Sequence, residues 1–249
     1  MMKTLIIGKN SFIGSKFKEL NNSQIISHKS LNKINVRRFD KIILLSMPKY
    51  YNKKISNIKF EKKIFKLFRG KRMIYFSTSH VYPNKIDNLE KFVKPQNIYA
   101  LNKIKIENEI KNYFLDYLII RVPIVFKKNK NRKNSFFDVL NSNFKKNKIY
   151  FNINQNSLRD FITLDDLFNF YLKMEKKNIR GIYNIGSGKG IPVKKIISYY
   201  FGNKLQNPNL SFYFNNKISN LTLNVQKLEN KINKFSKTIR RNVLRELKL

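Results

Sequence analysis

The chain has 249 residues, with 52 Lys and Arg against 15 Asp and Glu, a formal net charge of +37, no Cys and no Trp. Hydrophobic residues at 42% and aromatics at 14% are enough to fill a core, which excludes a disordered chain, and the length suits one α/β domain with an appended lobe. Without cysteine there are no disulfides, thiolate metal sites or cysteine nucleophiles, and only His28 and His80 offer imidazole, so no metal site is expected.

The first segment reads as strand, turn and helix. Thr4-Leu5-Ile6-Ile7 is a short apolar run, and Phe12, Ile13, Phe17 and Leu20 then recur at helical spacing. The apolar opening turns polar after Gly8, too soon for a signal peptide. Between strand and helix stands Gly8-Lys9-Asn10-Ser11-Phe12-Ile13-Gly14. In such a place the first glycine permits a tight turn, and a tiny middle residue lets the backbone approach a pyrophosphate. The last glycine allows close helix-to-sheet packing, and the helix N-terminus attracts phosphate. Ser11 departs from that pattern in the middle position, and an ordinary strand-to-helix turn explains the segment equally well on its own.

Gln24-Ile25-Ile26 reads as a second strand, Lys41 to Leu45 as a third and Arg72 to Phe76 as a fourth. An amphipathic helix through Ile55, Ile58, Ile64, Phe65 and Phe68 precedes the fourth. That strand runs into Ser77-Thr78-Ser79-His80-Val81-Tyr82, which sets hydroxyls at a strand C-terminus, where open parallel sheets bind their ligands. A long helix from Ile98 to about Tyr113 leads into Tyr117-Leu-Ile-Ile-Arg121. On that helix Tyr99 and Lys103 are four apart and share a face. A phenol with an unperturbed pKa of about 10 transfers protons poorly at neutral pH, and a neighbouring ammonium favours the phenolate. In a chain so rich in Tyr and Lys, such a pair also arises by chance on a solvated helix face.

From Phe126 to about Ser157 the periodicity weakens into Lys/Asn-rich pieces, including the loop-like Lys127–Lys133, around a helix from Phe136 to Phe144. Arg159-Asp-Phe-Ile-Thr-Leu-Asp-Asp166 opens another helix. It is followed by Gly181-Ile-Tyr-Asn-Ile-Gly186, a helix near Val193 to Phe201, a strand at Leu210 to Phe214 and a helical tail. The alternation predicts an α/β fold with a parallel sheet covered on both faces. The longest apolar stretch, Tyr117 to Phe126, is interrupted by Arg121 and Pro123, so the expectation is a soluble, cytoplasmic protein without membrane insertion.

Six segments now stand in order: Gly8–Gly14, Phe76-Ser-Thr-Ser-His-Val-Tyr82, Pro95-x3-Tyr99-x3-Lys103, Arg121-Val-Pro-Ile-Val-Phe126, Arg159–Asp166 and Tyr183-Asn-Ile-Gly-Ser-Gly188. Together, over nearly the whole length, they resemble the extended short-chain dehydrogenase/reductases, the NAD-dependent epimerase/dehydratase group that acts on nucleotide sugars. The resemblance implies a Rossmann-type doubly wound parallel sheet with a small interleaved C-terminal substrate lobe. Residues 1–126 would form the NAD(P)-binding domain, with 158–188 returning to it, and 127–157 with 189–249 would form the lobe. It also implies that Thr78 hydrogen-bonds the substrate oxygen, that Tyr99 is the general acid/base and that Lys103 tunes it while holding the nicotinamide ribose. Cofactor contacts are implied at Gly8, Asn10, Ser11, Phe12, Ile13, Gly14, Lys29, Ser46, Tyr99, Lys103 and Pro123, and substrate contacts at Ser79, His80 and Arg159. For Arg159 an inter-segment salt bridge is an equal alternative to a substrate phosphate.

Dehydratases of the group carry Asp-Glu directly after the threonine; Ser79-His80 stands here, against dehydration. The place of His80 holds a cysteine in members similar to GDP-fucose synthase, so His80 is either an acid/base or a hydrogen-bonded pocket wall. The group's usual Asn after Arg121 is Ile124, which favours keto reduction, in the manner of dTDP-4-dehydrorhamnose reductase, over simple epimerisation. Ile26 is followed by Ser27-His28-Lys29-Ser30, with Arg37 and Arg38 nearby and no acid, so NADP(H) is favoured over NAD(H).

The charge is spread from Lys3 to Lys248 without a basic tail, and the excess of Lys, Asn, Ile, Phe and Tyr follows A/T-rich codons. It reads as genome bias plus a field for small anions, here a dinucleotide and a nucleotide sugar, and not as a specific nucleic-acid surface. A homodimer is an admissible assembly. A non-catalytic NAD(P)- or nucleic-acid-binding protein on the same fold is the alternative of a different class.

Overall fold

The computed structural model describes residues 3–128 and 135–248, so most of the basic Lys127–Lys133 run lies outside it. β1 (Thr4–Ile7), the one-turn α1 (Gly14–Phe17) and β2 (Ser23–Ile26) form the first unit. Two 3-10 turns, His28–Lys33 and Val36–Arg38, carry the chain to β3 (Lys41–Leu44), followed by α2 (Lys59–Leu67), β4 (Arg72–Thr78), α3 (Ile98–Tyr113) and β5 (Tyr117–Val122). Next come β6 (Ile124–Phe126), α4 (Phe136–Phe144), β7 (Lys148–Phe151), β8 (Leu158–Arg159), β9 (Phe161–Thr163), α5 (Leu164–Lys176) and β10 (Gly181–Asn184). The chain ends with β11 (Ile191–Pro192), α6 (Val193–Phe201), β12 (Ser211–Phe214), α7 (Gln226–Ile232) and α8 (Ser236–Lys248). Among the described residues no helix is long and apolar enough to cross a membrane.

Six strands pair in the order β10-β5-β4-β3-β1-β2, all parallel, in a Rossmann-type sheet. Ile6, Ile43, Ile74, Leu118 and Ile120 point to one face, where Leu167 and Tyr171 of α5 cover them. Leu5, Ile7, Ile42, Leu44, Tyr75 and Ile119 point to the other, under Phe65 of α2 and Ile106 and Ile110 of α3. Burial on both faces is why these strands read as unbroken apolar runs. The order reverses between β1 and β3, since β2 lies on the far side of β1. At such a switch point the connections leave in opposite directions and open a crevice at the strand C-termini. Further along, β7 pairs with β12, Phe144 stacks on Phe201 with centroids 4.1 Å apart, and α8 packs against β9 and α6.

Two helices are shorter than their spacing predicts. Beyond Phe17 the amides of Glu19 and Leu20 bond carbonyls three residues back at 3.0 and 3.1 Å, and Asn22 turns the chain into β2 with a φ of 55°. The helix expected from Ile55 starts at Lys59. Ser56 Oγ accepts from Ile58 N at 3.0 Å and Asn57 Oδ1 from Lys59 N at 3.4 Å, local bonds that compete with helical ones and leave Ile55 exposed.

The position of α3 is set by charge. Glu107 and Arg121 are 1% and 3% exposed; Nη2 of the arginine donates to Oε2 at 2.5 Å, and Nε lies 3.1 and 3.2 Å from the two carboxylate oxygens. Arg121 Nη1 donates onward to Tyr82 OH at 2.9 Å and Glu90 O at 2.6 Å. Tyr82 OH donates to Asn184 Oδ1 at 2.6 Å, and the Asn184 amide donates to Asn88 O and Asn224 O, each at 2.9 Å. Removing one member of a buried pair strands the other charge, at a cost of about 3–5 kcal/mol. Glu107→Ala is therefore expected to lose stability of that order in urea unfolding; a loss below about 1 kcal/mol would mean that the pair does not anchor the helix.

Candidate active site

The Gly8–Gly14 turn sits at the switch point. Ile26 O at the end of β2 accepts from Gly8 N and Lys9 N at 2.9 and 3.0 Å, and Ile7 O accepts from Leu45 N and Ser46 N, both at 2.9 Å. Gly8 has a φ of +137°, and a Cβ there would lie 2.9 Å from Leu45 Cβ and from Ser46 N. A Cβ on Gly14 would lie 2.5 Å from Gly8 O. Both glycines are thus demanded by close approach of the turn to β3 and of α1 to β1. Ser11 does not stand over the loop: its Oγ accepts from Gly14 N at 2.8 Å, so the departure from glycine is absorbed inside the turn. Asn10, Phe12 and Ile13 lie between the two glycines, in a turn packed tightly against the end of β3 at the switch point.

The β4 end supplies hydroxyls. Ser77, Thr78 and Ser79 are buried, and Thr78 Oγ1 accepts from His80 N at 3.3 Å as the chain enters a 3-10 turn, Ser79–Val81. The N-terminus of α3 is tied to that turn, because Lys94 N donates to Val81 O at 2.8 Å and Gln96 N to His80 O at 3.1 Å. Asn97 caps the helix, accepting from Ala100 N at 2.9 Å. Tyr99 is half-buried. Lys103 is 7% exposed and donates from Nζ to Phe76 O at 2.8 Å, with the ammonium 4.5 Å from the Tyr75 ring centroid and 5.7 Å from that of Tyr99. The cation therefore reaches the strand two residues before Thr78.

Asn102, the neighbour of Lys103, fastens the preceding loop to the helix. It accepts from Ser56 N at 2.8 Å and donates to Tyr51 O at 3.0 Å and Lys54 O at 2.9 Å. Tyr51 OH in turn donates to the buried Glu61, whose carboxyl is pushed up by burial and pulled back by that bond and by the charge of Lys103.

Arg159 and His80 lie within range of each other's charge. Arg159 donates to Leu158 O at 2.9 Å, to Ser219 Oγ at 3.3 Å and to Ser219 O, all neutral acceptors. The alternative of a salt bridge is not met: among the described residues no carboxylate pairs with it, and burial lowers its guanidinium to about 10. Burial, followed by the Arg159 charge, lowers His80 below the ordinary imidazole value and favours the neutral ring. Pro123 and Asp160 face Gly186, where an added Cβ would meet Asp160 Oδ2 at 2.7 Å and Pro123 at 3.2 Å. Lys29 is exposed beyond β2, its amide bonded to Ser27 Oγ at 3.4 Å, and Arg37 and Arg38 are exposed on the second 3-10 turn. A groove of about 500 Å3 along α8 lies on the C-terminal helix and contains none of these residues.

Sequence reading missed the supports. Glu107 continues the Tyr99–Lys103 face by one more turn, which was visible as an i, i+4, i+8 series, and Asn184 sits inside a segment quoted only as a motif. Nothing in the sequence marks Asn102, since its partners are backbone atoms about fifty residues away.

The family model described as NAD dependent epimerase/dehydratase family matches residues 46–186, more than half of the chain. No curated protein sequence matches it. Among solved structures, an NAD-dependent NDP-hexosamine 5,6-dehydratase involved in tunicamycin biosynthesis superposes with a TM-score of 0.76 at 14% identity, covering 99% of this chain and 97% of that one. dTDP-4-dehydrorhamnose reductase from Bacillus anthracis str. Ames, in complex with NADP, gives 0.73 at 16% identity and 96% of each chain. UDP-N-acetylglucosamine 4-epimerase from Methanobrevibacter ruminantium M1 gives 0.71 at 18% identity, with 98% and 97% covered. At such identities the likeness establishes the fold.

Asp160, next to Arg159, is fully buried and holds the Ile185–Gly188 turn: Oδ1 accepts from Ser187 N at 2.9 Å, Ser187 Oγ at 2.6 Å and Phe161 N at 2.8 Å. Burial pushes its carboxyl up to about 6 despite these bonds. A carboxyl raised in the folded state favours the protonated form there, so its contribution to stability is full below the ordinary 3.8 and is lost as pH rises through about 6. Asp160→Asn keeps the Oδ1 acceptor and removes the titration. The difference in unfolding free energy between wild type and variant, measured in urea, is expected to change across that window and to level off above it; a pH-independent difference would exclude the assignment.

Proposed function

Because the chain belongs to the NAD-dependent epimerase/dehydratase family, we propose that it is a cytoplasmic NAD(P)-dependent oxidoreductase of nucleotide-sugar metabolism that reduces a keto group of a nucleotide-linked deoxy sugar. The observation that carries this reading is the arrangement of Lys103, a buried ammonium beside the Tyr99 ring and bonded to the strand that ends in Thr78. When bound, the nicotinamide supplies the hydride. Tyr99 gives its phenolic proton to the substrate oxygen as that oxygen gains charge, and Thr78 Oγ1 donates a second hydrogen bond to it. The Lys103 ammonium stabilises the phenolate left on Tyr99, and its bond to Phe76 O keeps it in place during the transfer. In the opposite direction the same groups take the proton back.

Arg159 supports a diphosphate-bearing substrate, since it is a largely buried cation satisfied only by neutral oxygens and gains a full counter-charge from a phosphate. The segments 127–157 and 189–249 serve in this reading as the substrate lobe, with Ser79 and neutral His80 as the wall nearest the reacting carbon. The Gly8–Gly14 turn, Ser46 and Pro123 line the cofactor side. NADP(H) is preferred over NAD(H), because the end of β2 offers Lys29 with Arg37 and Arg38 near it and no acid for ribose hydroxyls. Similar structures contain either nucleotide: NADP in the rhamnose-type reductase, NAD in a dTDP-glucose 4,6-dehydratase from the same bacillus. The absence of an Asp-Glu pair after Thr78 argues for reduction over dehydration.

A panel of 4-keto-6-deoxy nucleotide sugars, assayed with NADPH and NADH by loss of nicotinamide absorbance, tests the reaction. Turnover of at least one is expected, faster with NADPH; oxidation of neither nucleotide with any sugar would move the reading to redox-neutral epimerisation. Tyr99→Phe is expected to lower kcat by about 10^2- to 10^4-fold, the range for a lost general acid, while NADPH affinity measured by calorimetry stays within a few-fold of wild type. Unchanged turnover would remove Tyr99 from the chemistry.

A further inference from the structure

The segment between the Ser79–Val81 turn and α3 is held firmly yet shows apolar side chains to solvent. Asn88 N donates to Thr222 O at 3.1 Å, and its side-chain amide donates to Lys85 O at 2.8 Å and Thr222 O at 3.0 Å. Glu90 O accepts from Arg121, and Glu90 Oε1 accepts from Asn184 N at 3.1 Å. A segment pinned in this way has a defined inner side. Even so, Ile86, Leu89, Phe92 and Val93 are 54%, 40%, 54% and 41% exposed. Single exposed apolar residues are ordinary; here four stand within eight residues of one hydrogen-bonded loop.

The chemistry around them selects the partner. Lys85, Lys91 and Lys94 are exposed in the same loop, and the ammonium groups of Lys85 and Lys91 lie 5.8 and 5.1 Å from the Phe92 ring centroid. Both acids of the loop are engaged by protein groups, Glu90 as above and Asp87 by the Asn224 amide at 3.0 and 3.1 Å. A second copy docked through the same loop sets Lys85, Lys91 and Lys94 against their like, with both acids of the loop already engaged. Single-stranded nucleic acid wants aromatic faces to stack on, and three of the four side chains are aliphatic. Aliphatic side chains with lysines at their margins match the boundary between acyl chains and anionic headgroups, where lysine stems lie along apolar surface and ammonium groups meet phosphate. We infer that the Lys85–Lys94 loop docks on an anionic lipid bilayer, with Phe92 and its aliphatic neighbours at the headgroup level. The contact is peripheral, and the Val81–Lys94 and His80–Gln96 bonds set the β4 end directly behind it.

The chain has no tryptophan, so Phe92→Trp creates a unique indole fluorophore within the loop. With vesicles of equal parts phosphatidylglycerol and phosphatidylcholine at about 0.15 M salt, its emission is expected to shift to the blue and to be quenched by brominated acyl chains. The double variant Phe92→Ser with Val93→Ser, both solvent-facing positions that leave the core untouched, is expected to weaken co-sedimentation with those vesicles by about tenfold or more. Unmoved emission, or undiminished co-sedimentation of the double variant, would overturn the inference in favour of diffuse charge attraction. A concentration-dependent blue shift without lipid, with doubled sedimenting mass, would assign the loop to a second copy. The same shift on adding a single-stranded oligonucleotide at that salt would assign it to nucleic acid.

Discussion

How α3 lies against β4 and β5 decides where Tyr99 and Lys103 stand at the β4 end, and buried polar bonds decide how α3 lies. Glu107 meets Arg121 of β5, Lys103 meets the Phe76 carbonyl of β4, and Asn102 gathers the loop before α2, all within two turns of one helix. Apolar packing alone would tolerate small slides and rotations. A bidentate ion pair and an ammonium on a strand carbonyl do not, because a displacement of an ångström strands a charge away from water. Lys103 and Asn102 also satisfy backbone groups that a hydrocarbon of similar size leaves unpaired, so together these bonds fix where Tyr99 stands.

Those same bonds explain which parts of the molecule were legible in the sequence. Strands β1, β3, β4 and β5 are apolar on both faces and stood out as runs, and the order of six motifs located the turn, the β4 end and the Tyr99–Lys103 face. β7 was not legible, since Lys148-Ile-Tyr-Phe sits among Lys and Asn and pairs with a strand sixty residues on. The start of α2 was misplaced because Ser56 and Asn57 bond their own backbone, and hydrophobic spacing does not register that competition. The role of Arg159 was left between two partners, a carboxylate and a ligand phosphate; its partners in the fold are Leu158 and Ser219, and a carbonyl leaves no trace in a residue pattern.

The Gly8–Gly14 turn shows a different limit. Its spacing suggested a nucleotide loop and its serine counted against it, because a side chain was assumed to project where the ligand comes. The hydroxyl instead bonds Gly14 N, a solution open to serine and closed to any apolar residue of the same size. The matched family stretch begins after this turn, so the turn rests on its own geometry and on its place at the β1–β3 switch point.

Fifteen acids stand among fifty-two Lys and Arg, and those at the centre of the fold are already committed: Glu107 to Arg121, Glu90 to Asn184, Glu175 to Arg72, Asp160 to Ser187. The lysines, by contrast, mostly face water. The molecule's tolerance of mutation is therefore lopsided. Exposed lysines can be exchanged over much of the surface with little consequence, whereas Glu107 is the one carboxylate among the described residues that pairs with the buried Arg121, and its loss leaves that charge stranded.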